Sequence, residues 1–336
     1  MSGKKVIVAG ASGAVGRTMV RVLEERAFPV SELRLLSSSR SAGKSIPYRG
    51  KDILVEELDA HSFDGFEIAL FSMPKGVSRE FAPIAAEAGC VVVDNSNAWR
   101  MDPDVPLVVP EVNPDDVNNR PKGIIANPNC STIQMVVALK PLHDAAKIKR
   151  VVVSTYQAVS GVSLDAMEEL RKESRQALAG ETVEVDIFPK QIAFNCLPQI
   201  PQSGAFVENG YTTEEMKMQN ETRKIIGDDT IRVSPTTVRV PVLIGHAESV
   251  NVEFERKVTV GEARELLTAF PGITVVDDPA NEAWPSPLEC EDKDDVFVGR
   301  IREDISCENA LNLWIVSDNL RKGAATNAVQ IAQRLL

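Results

Sequence analysis

Cys130 stands in the segment Ile-Ala-Asn-Pro-Asn-Cys-Ser-Thr-Ile, with polar residues on both sides and an apolar helical run, 133–139, directly after it. A cysteine used only for packing usually has apolar neighbours. At a loop-to-helix junction, unpaired backbone N–H groups and the positive end of the helix dipole favour the thiolate. A thiolate at neutral pH is a nucleophile. The chain has five cysteines, an odd number, with Cys90, Cys196, Cys290 and Cys307 besides this one and no C-x-x-C pair. That pattern argues against a disulfide framework or a metal site and fits a reducing compartment.

A second group of residues suits a nucleotide. Gly10, Ser12, Gly13, Ala14, Val15 and Gly16 lie in a G-x-x-G-x-x-G stretch between an expected strand at 5–9 and an expected helix at 14–25. Glycines at this junction allow a tight turn and close approach of the backbone to a pyrophosphate, and the helix start supplies N–H donors. After a second strand at 33–36 the chain reads Ser-Ser-Ser-Arg-Ser. No carboxylate stands there to hold a ribose 2′-hydroxyl, as an NAD site would require. The hydroxyls of Ser38 and Ser41 with the guanidinium of Arg40 suit a 2′-phosphate, so NADP(H) is the expected cofactor.

These groups must be held by a scaffold, and the pattern supplies one. Further strands are expected at 53–56, 68–72, 91–94 and 107–109, with a helix at 78–88. Such β–α alternation indicates a doubly wound, mainly parallel sheet. From residue 150 the texture changes: a strand at 151–156, a helix at 163–178, a Pro-rich loop at 188–203, a helix at 213–226, strands at 238–243 and 249–258, and a closing helix at 324–336. This reads as a second domain on a mostly antiparallel sheet. The acidic stretch 289–295 reads as a solvated loop. The 336 residues suffice for two domains, and their net charge of −11 argues against nucleic-acid and anionic membrane partners. No apolar run reaches the roughly 18–20 residues of a membrane span. The N-terminal apolar run breaks at Gly10 and is too short for a leader, so a cytoplasmic location is expected.

Taken together, the segments Gly-Ala-Ser-Gly-Ala-Val-Gly, Ser-Arg-Ser-Ala-Gly-Lys, Asn-Pro-Asn-Cys-Ser-Thr, Tyr-Gln-Ala-Val-Ser-Gly, Glu-Glu-Met-Lys, Arg-Val-Pro-Val, Gly-His-Ala-Glu-Ser-Val and Asp-Asn-Leu-Arg-Lys-Gly-Ala-Ala resemble aspartate-β-semialdehyde dehydrogenases, in order and over the whole chain. The resemblance implies an N-terminal Rossmann-like NADP-binding domain of 1–129 plus about 318–336. It also implies an α+β catalytic and dimerisation domain of 130–317, and a homodimer. It implies reversible NADPH-dependent conversion of L-aspartyl phosphate to aspartate semialdehyde and phosphate, in the biosynthesis of lysine, methionine and threonine.

Residue by residue, the resemblance makes Cys130 the nucleophile, His246 the acid/base group and Gln157 an orienting side chain. Arg239 would grip the α-carboxylate, Glu214 the α-ammonium, and Lys217 and Arg100 the phosphate, with Asn129 beside the nucleophile. The neighbouring Glu215 leaves open which acid serves. Ser160 and Gly161 would approach the nicotinamide, and Asn319 would join the cofactor residues. His61 and His143 fall outside these motifs. An N-acetyl-glutamyl-phosphate reductase has similar chemistry, but its acylated amine offers no charge to Glu214; a silent nucleotide-binding relative would have no need of Cys130 and His246.

One geometric condition follows. Arg239 and His246 are seven residues apart, and on one continuous strand an odd separation sends side chains to opposite faces. Both can serve one site only if the chain breaks between them, and Pro241 and Gly245 are the expected place.

Overall fold

Four apolar residues in a row, Val6–Ala9, make the first strand a buried one, as a central parallel strand requires. The computed structural model describes residues 3–336; Met1 and Ser2, at the head of the expected N-terminal domain, lie outside them. The chain divides into two units, one running up to Asn129 and taking in Ala324–Leu336, the other Cys130–Gly323.

The first unit holds β1 (Lys4–Ala9), α1 (Ala14–Glu25), β2 (Val30–Ser37), β3 (Ser45–Tyr48), β4 (Lys51–Glu57), β5 (Ile68–Phe71), α2 (Lys75–Glu87), β6 (Val91–Asp94) and β7 (Ile124–Ala126). Its seven-stranded sheet runs β3-β4-β2-β1-β5-β6-β7. Every pair is parallel except β3 with β4. The chain leaves β1 toward β2 and later returns to its other side with β5, so the order reverses at the end of β1. In sheets of this kind that crevice is where ligands bind.

The expected strand at 107–109 does not form. Leu107 makes a single bridge to Ala126, because Pro106 and Pro110 flank it and neither has an N–H to give to a ladder. Conversely β3 contains Pro47 and forms because it lies at the sheet edge, where a missing donor does no harm.

The second unit opens with α3 (Cys130–Ala146), followed by β8 (Ile148–Gln157), α4 (Leu164–Ala179), α5 (Thr213–Ile226), β9 (Arg232–Arg239), β10 (His246–Phe254), α6 (Val260–Ala269), β11 (Ile273–Val275), α7 (Pro287–Cys290), β12 (Val296–Glu303) and β13 (Ala310–Ser317). Ser163 caps α4, and Gly180, at φ 70°, ends it. The six strands lie in the order β11-β12-β13-β10-β8-β9. Pairs β12/β13, β13/β10 and β10/β8 are antiparallel, and β8/β9 and β11/β12 parallel. α3 packs against β8, β10 and β13. It is buried almost all round, which suits its near-continuous apolar sequence.

The strand expected at 238–243 is misplaced. β9 ends at Arg239, before Pro241, and its body lies upstream, where Pro235 is tolerated at another sheet edge. The chain returns to the first unit at Ala324 rather than near 318, because the side chains of Asp318 and Asn319 bond the backbone N–H groups of Asp292 and Gly245 in the second unit. The last helix, α8 (Thr326–Gln333), follows a π-helical turn at Arg321–Ala325, so the closing helix is shorter than expected.

Candidate active site

Strand directions bring one end of the second sheet together. β8 ends at Gln157, β9 at Arg239 and β13 at Ser317, while antiparallel β10 begins there at His246. The registers Gln157↔Arg239 and Glu248↔Thr155 put Gln157, Arg239, His246 and Glu248 on one face, since alternate residues of a strand share a face and paired residues match. α3 covers that face, and Cys130 is its first residue.

The parity condition is met by a break. The stretch 240–245 leaves β9 and crosses the end of β8, where Val240 N–H bonds Gln157 O, and Val242 O and Leu243 O accept from Val159 and Ser160. Gly245 then turns the chain with φ +93°, a left-handed conformation that favours glycine, and a Cβ there would come within 2.9 Å of Pro287. Arg239 and His246 therefore lie on two strands that flank β8, on the same face.

Hydrogen bonds fix the orientation of each group. The Ala158 N–H donates to His246 Nδ1 at 3.0 Å, while the Ala158 carbonyl accepts from Arg239 Nη1 at 2.6 Å. One peptide segment thus aims both side chains. His246 is wholly buried; burial first, and then the Arg239 charge, lower its pKa to about 3, with Glu214 opposing. A neutral ring that accepts at Nδ1 carries its proton on Nε2. Nε2 has no hydrogen-bond partner among the described residues. The acid/base role implied by the resemblance is thereby narrowed to a donor at Nε2. Arg239 is also buried; burial lowers its pKa, and the charges of Glu214 and Cys130 act against that.

Gln157 receives a bond from the Thr155 hydroxyl at 3.0 Å and donates to Glu214 Oε1 at 3.3 Å. Glu214 Oε2 meets Lys217 Nζ at 2.8 Å, one helical turn along α5. Glu215 has a different task. It forms a capping box with Thr212 at the start of α5 and accepts the Thr237 N–H at 2.9 Å. Of the two adjacent acids, Glu214 belongs to the polar cluster and Glu215 to the scaffold.

Ser160 and Asn319 bond each other, and Asn319 also accepts the Gly245 N–H at 2.8 Å. Gly161 lies so near the cluster that a Cβ would stand 3.2 Å from Arg239 Nη1 and 3.3 Å from His246 Nε2. Gly323 lies against Cys130: a Cβ would lie 3.0 Å from the Cβ of Cys130. The sequence reading missed Gly323, although it stands in one of the quoted motifs, and missed the backbone of Ala158, which no side-chain pattern reveals.

Arg100 and Asn129 lie in the first unit. Arg100 is buried and donates to the carbonyls of Asn127 and Asn95. In the same unit Gly10, at φ +83°, and Gly16 are each required, since a Cβ would collide with Ser72 O and Gly10 O respectively. Gly13 is the N-cap of α1, where no side chain caps the helix and no acid stands in the first turn. Those N–H groups suit an anion such as a pyrophosphate, so the turn fits a dinucleotide. Ser12 bonds Ser37 at 2.7 Å, and Ser38 and Arg40 are exposed just beyond β2.

Two other cysteines and both other histidines take ordinary places in the fold. Burial pushes the Cys90 thiol up to about 11 and the Cys290 thiol up to about 12. His143 accepts the Ile148 N–H, and His61 is exposed beside Asp64. The acidic stretch 289–295 is more than a solvated loop, since Asp294 pairs with buried Arg321 at 2.8 Å and Asp295 accepts from Thr274.

A dinucleotide turn in one unit and a helix-start cysteine over a histidine and an arginine in the other define an oxidoreductase of the dehydrogenase class. Two family descriptions match: "Semialdehyde dehydrogenase, NAD binding domain" over residues 5–120 and "Semialdehyde dehydrogenase, dimerisation domain" over 139–322. The aspartate-semialdehyde dehydrogenase of Aquifex aeolicus is 56% identical over 99% of this chain and 98% of its own length. The crystal structure of aspartate semialdehyde dehydrogenase II complexed with ASA from Vibrio cholerae is similar with a TM-score of 0.95 and 49% identity, over 100% of this chain and 98% of that one. A more distant structure, the Candida albicans enzyme with NADP, is 27% identical with a TM-score of 0.76, over 99% of this chain and 98% of that one. The chain belongs to the aspartate-semialdehyde dehydrogenase family. Its first unit is accordingly a nicotinamide-dinucleotide-binding domain.

Proposed function

We propose that this chain catalyses the reversible, NADPH-dependent reductive dephosphorylation of L-aspartyl-4-phosphate to L-aspartate-4-semialdehyde, with Cys130 as the covalent nucleophile. The observation that carries this reading is the set of groups at one sheet end: Cys130 at the start of α3, with His246, Gln157 and Arg239 on the face that α3 covers. The Cys130 thiolate attacks the acyl carbon; a C–S bond forms, the C–O bond to phosphorus breaks, and phosphate leaves. When bound, the reduced nicotinamide supplies a hydride to the thioester carbon. His246 presents its Nε2–H where negative charge develops on the carbonyl oxygen. Collapse of that alkoxide restores the carbonyl, breaks the C–S bond and regenerates the thiolate.

The remaining groups position the substrate. Arg239 meets the α-carboxylate with a planar guanidinium, and Glu214, already turned toward Gln157, meets the α-ammonium. Lys217 and Arg100 bind the phosphate, and Asn129 donates beside the nucleophile. Gly10, Ser12, Gly13, Ala14, Val15 and Gly16 cradle the pyrophosphate, while Ser38, Arg40 and Ser41 select the 2′-phosphate; the NADP in the Candida albicans relative supports this. Ser160, Gly161 and Asn319 border the nicotinamide. We further place a homodimer on the sheet face away from α3, where Tyr156 is partly exposed against Trp314, and place the enzyme in the cytoplasm.

The test is Cys130→Ala, assayed in the phosphate-dependent direction with aspartate semialdehyde and with N-acetylglutamate semialdehyde. Turnover of the first substrate alone by the parent, and its loss in the variant with NADPH binding retained, is the expected result. Unchanged turnover in the variant would refute covalent catalysis.

A further inference from the structure

Two residues past His246 on β10, Glu248 is 0% exposed, and one turn past Cys130 on α3, Gln134 is also 0% exposed. A spacing of two on a strand and four on a helix keeps each residue on the face of its catalytic neighbour. Neither oxygen of Glu248 and neither polar atom of Gln134 makes a hydrogen bond of good geometry. Burial outweighs the one polar side chain that acts on Glu248 among the described residues, the Gln134 amide, whose approach favours the carboxylate. The two face one another across the contact between α3 and β10.

Among the described residues, no charged group acts on Glu248 to hold a carboxylate there. Across the sheet Glu248 faces Thr155 on β8 and Ile315 on β13. On its own strand the same face carries the neutral ring of His246 and the apolar Val250, and the facing helix presents Gln134. Burial raises the Glu248 pKa well above its ordinary value. A protonated carboxyl can both donate to an amide oxygen and accept from an amide N–H, which a carboxylate cannot.

We infer that Glu248 is a positioning residue that works as a neutral acid: paired with the Gln134 amide, it sets the register of α3 on β10 and so the place of Cys130 relative to His246. Nothing in the reaction itself requires this carboxyl, and its removal from water is costly unless it is paired. The inference rests on the nucleophilic role of Cys130, but its protonation half does not.

The test compares Glu248→Gln, Glu248→Leu and the exchange Gln134→Glu with Glu248→Gln in the purified full chain. Three readouts apply: kcat and KM with aspartate semialdehyde, the rate of Cys130 alkylation by iodoacetamide, and stability against pH. Glu248→Gln keeps an amide pair and should hold kcat within about threefold. Glu248→Leu should lower kcat and the alkylation rate tenfold or more with KM within about twofold, because the nucleophile shifts while Arg239 and Glu214 stay. The exchange should restore both rates. Between pH 5 and 7 the parent's folding equilibrium constant should fall relative to Glu248→Gln by up to about tenfold per pH unit, since the unfolded carboxyl ionises and the folded one does not.

A parallel pH dependence of the two proteins would show a charged Glu248 and overturn the protonation half. Rates in Glu248→Leu equal to the parent's would overturn the positioning half. A Glu248→Gln variant as slow as Glu248→Leu would mean the proton itself is needed, which also overturns it. Should Cys130→Ala retain turnover, the underlying reading fails while the pH test of Glu248 still stands.

Discussion

At the scale of single residues, one peptide segment decides what His246 can do. The Ala158 N–H occupies Nδ1, so the proton sits on Nε2, and the Ala158 carbonyl holds Arg239 alongside. Gly161 closes the same corner. Gly161→Ala should lower kcat/KM by about 10- to 100-fold, because the added methyl would press on Arg239 Nη1 and His246 Nε2 at 3.2–3.3 Å and, in the roles proposed for them, a small displacement is that costly. The melting temperature should barely move, which distinguishes the effect from loss of fold. The types of Cys130, His246 and Arg239 were readable from their motifs. The Ala158 bonds and the Gly161 clearance were not, because backbone groups and empty volume leave no mark on sequence pattern.

Helix α5 shows at the level of elements how adjacent residues divide between structure and chemistry. Glu215 closes the capping box with Thr212 and binds the Thr237 N–H, whereas Glu214 turns to Lys217 and Gln157. Glu215→Ala should destabilise the chain by about 2 kcal/mol, from the lost cap and an unsatisfied buried N–H, as read by denaturant midpoint. Glu214→Gln should instead raise KM for aspartate semialdehyde about tenfold or more while shifting that midpoint little, because in the role proposed for it one charge-assisted hydrogen bond to the ammonium is lost. The spacing that put Glu214 and Lys217 on one face was legible in the sequence. Which of the two acids caps the helix depends on the three-residue spacing from Thr212, which only Glu215 has; an acidic first turn alone does not separate them.

For the molecule as a whole, two buried groups pull stability against pH in opposite directions. His246 has its folded pKa lowered to about 3 from 6.5. Above pH 6.5 it is neutral folded or unfolded; as pH falls below that, the unfolded ring gains a proton that the folded one refuses, and stability declines by up to about 1.4 kcal/mol per pH unit. Glu248 acts on the alkaline side of its ordinary range. Urea titrations from pH 4 to 7 should therefore show His246→Gln losing less stability on acidification than the parent; equal slopes would mean that the buried ring is not held neutral.

By itself the sequence determined the classes: a glycine turn after a buried strand, a cysteine at a helix start, β–α alternation giving way to a second domain, and the residue types that carry the chemistry. These are local matters of spacing, capping and periodicity. The tertiary structure decided the rest. Strands containing Pro47 and Pro235 formed because they lie at sheet edges, while 107–109 failed between two prolines. Arg239 and His246, on opposite faces of any single strand, came to one face only because the chain breaks at 240–245 and the two strands flank β8. Strand order, register and burial are products of non-local pairing, and no window of sequence contains both partners.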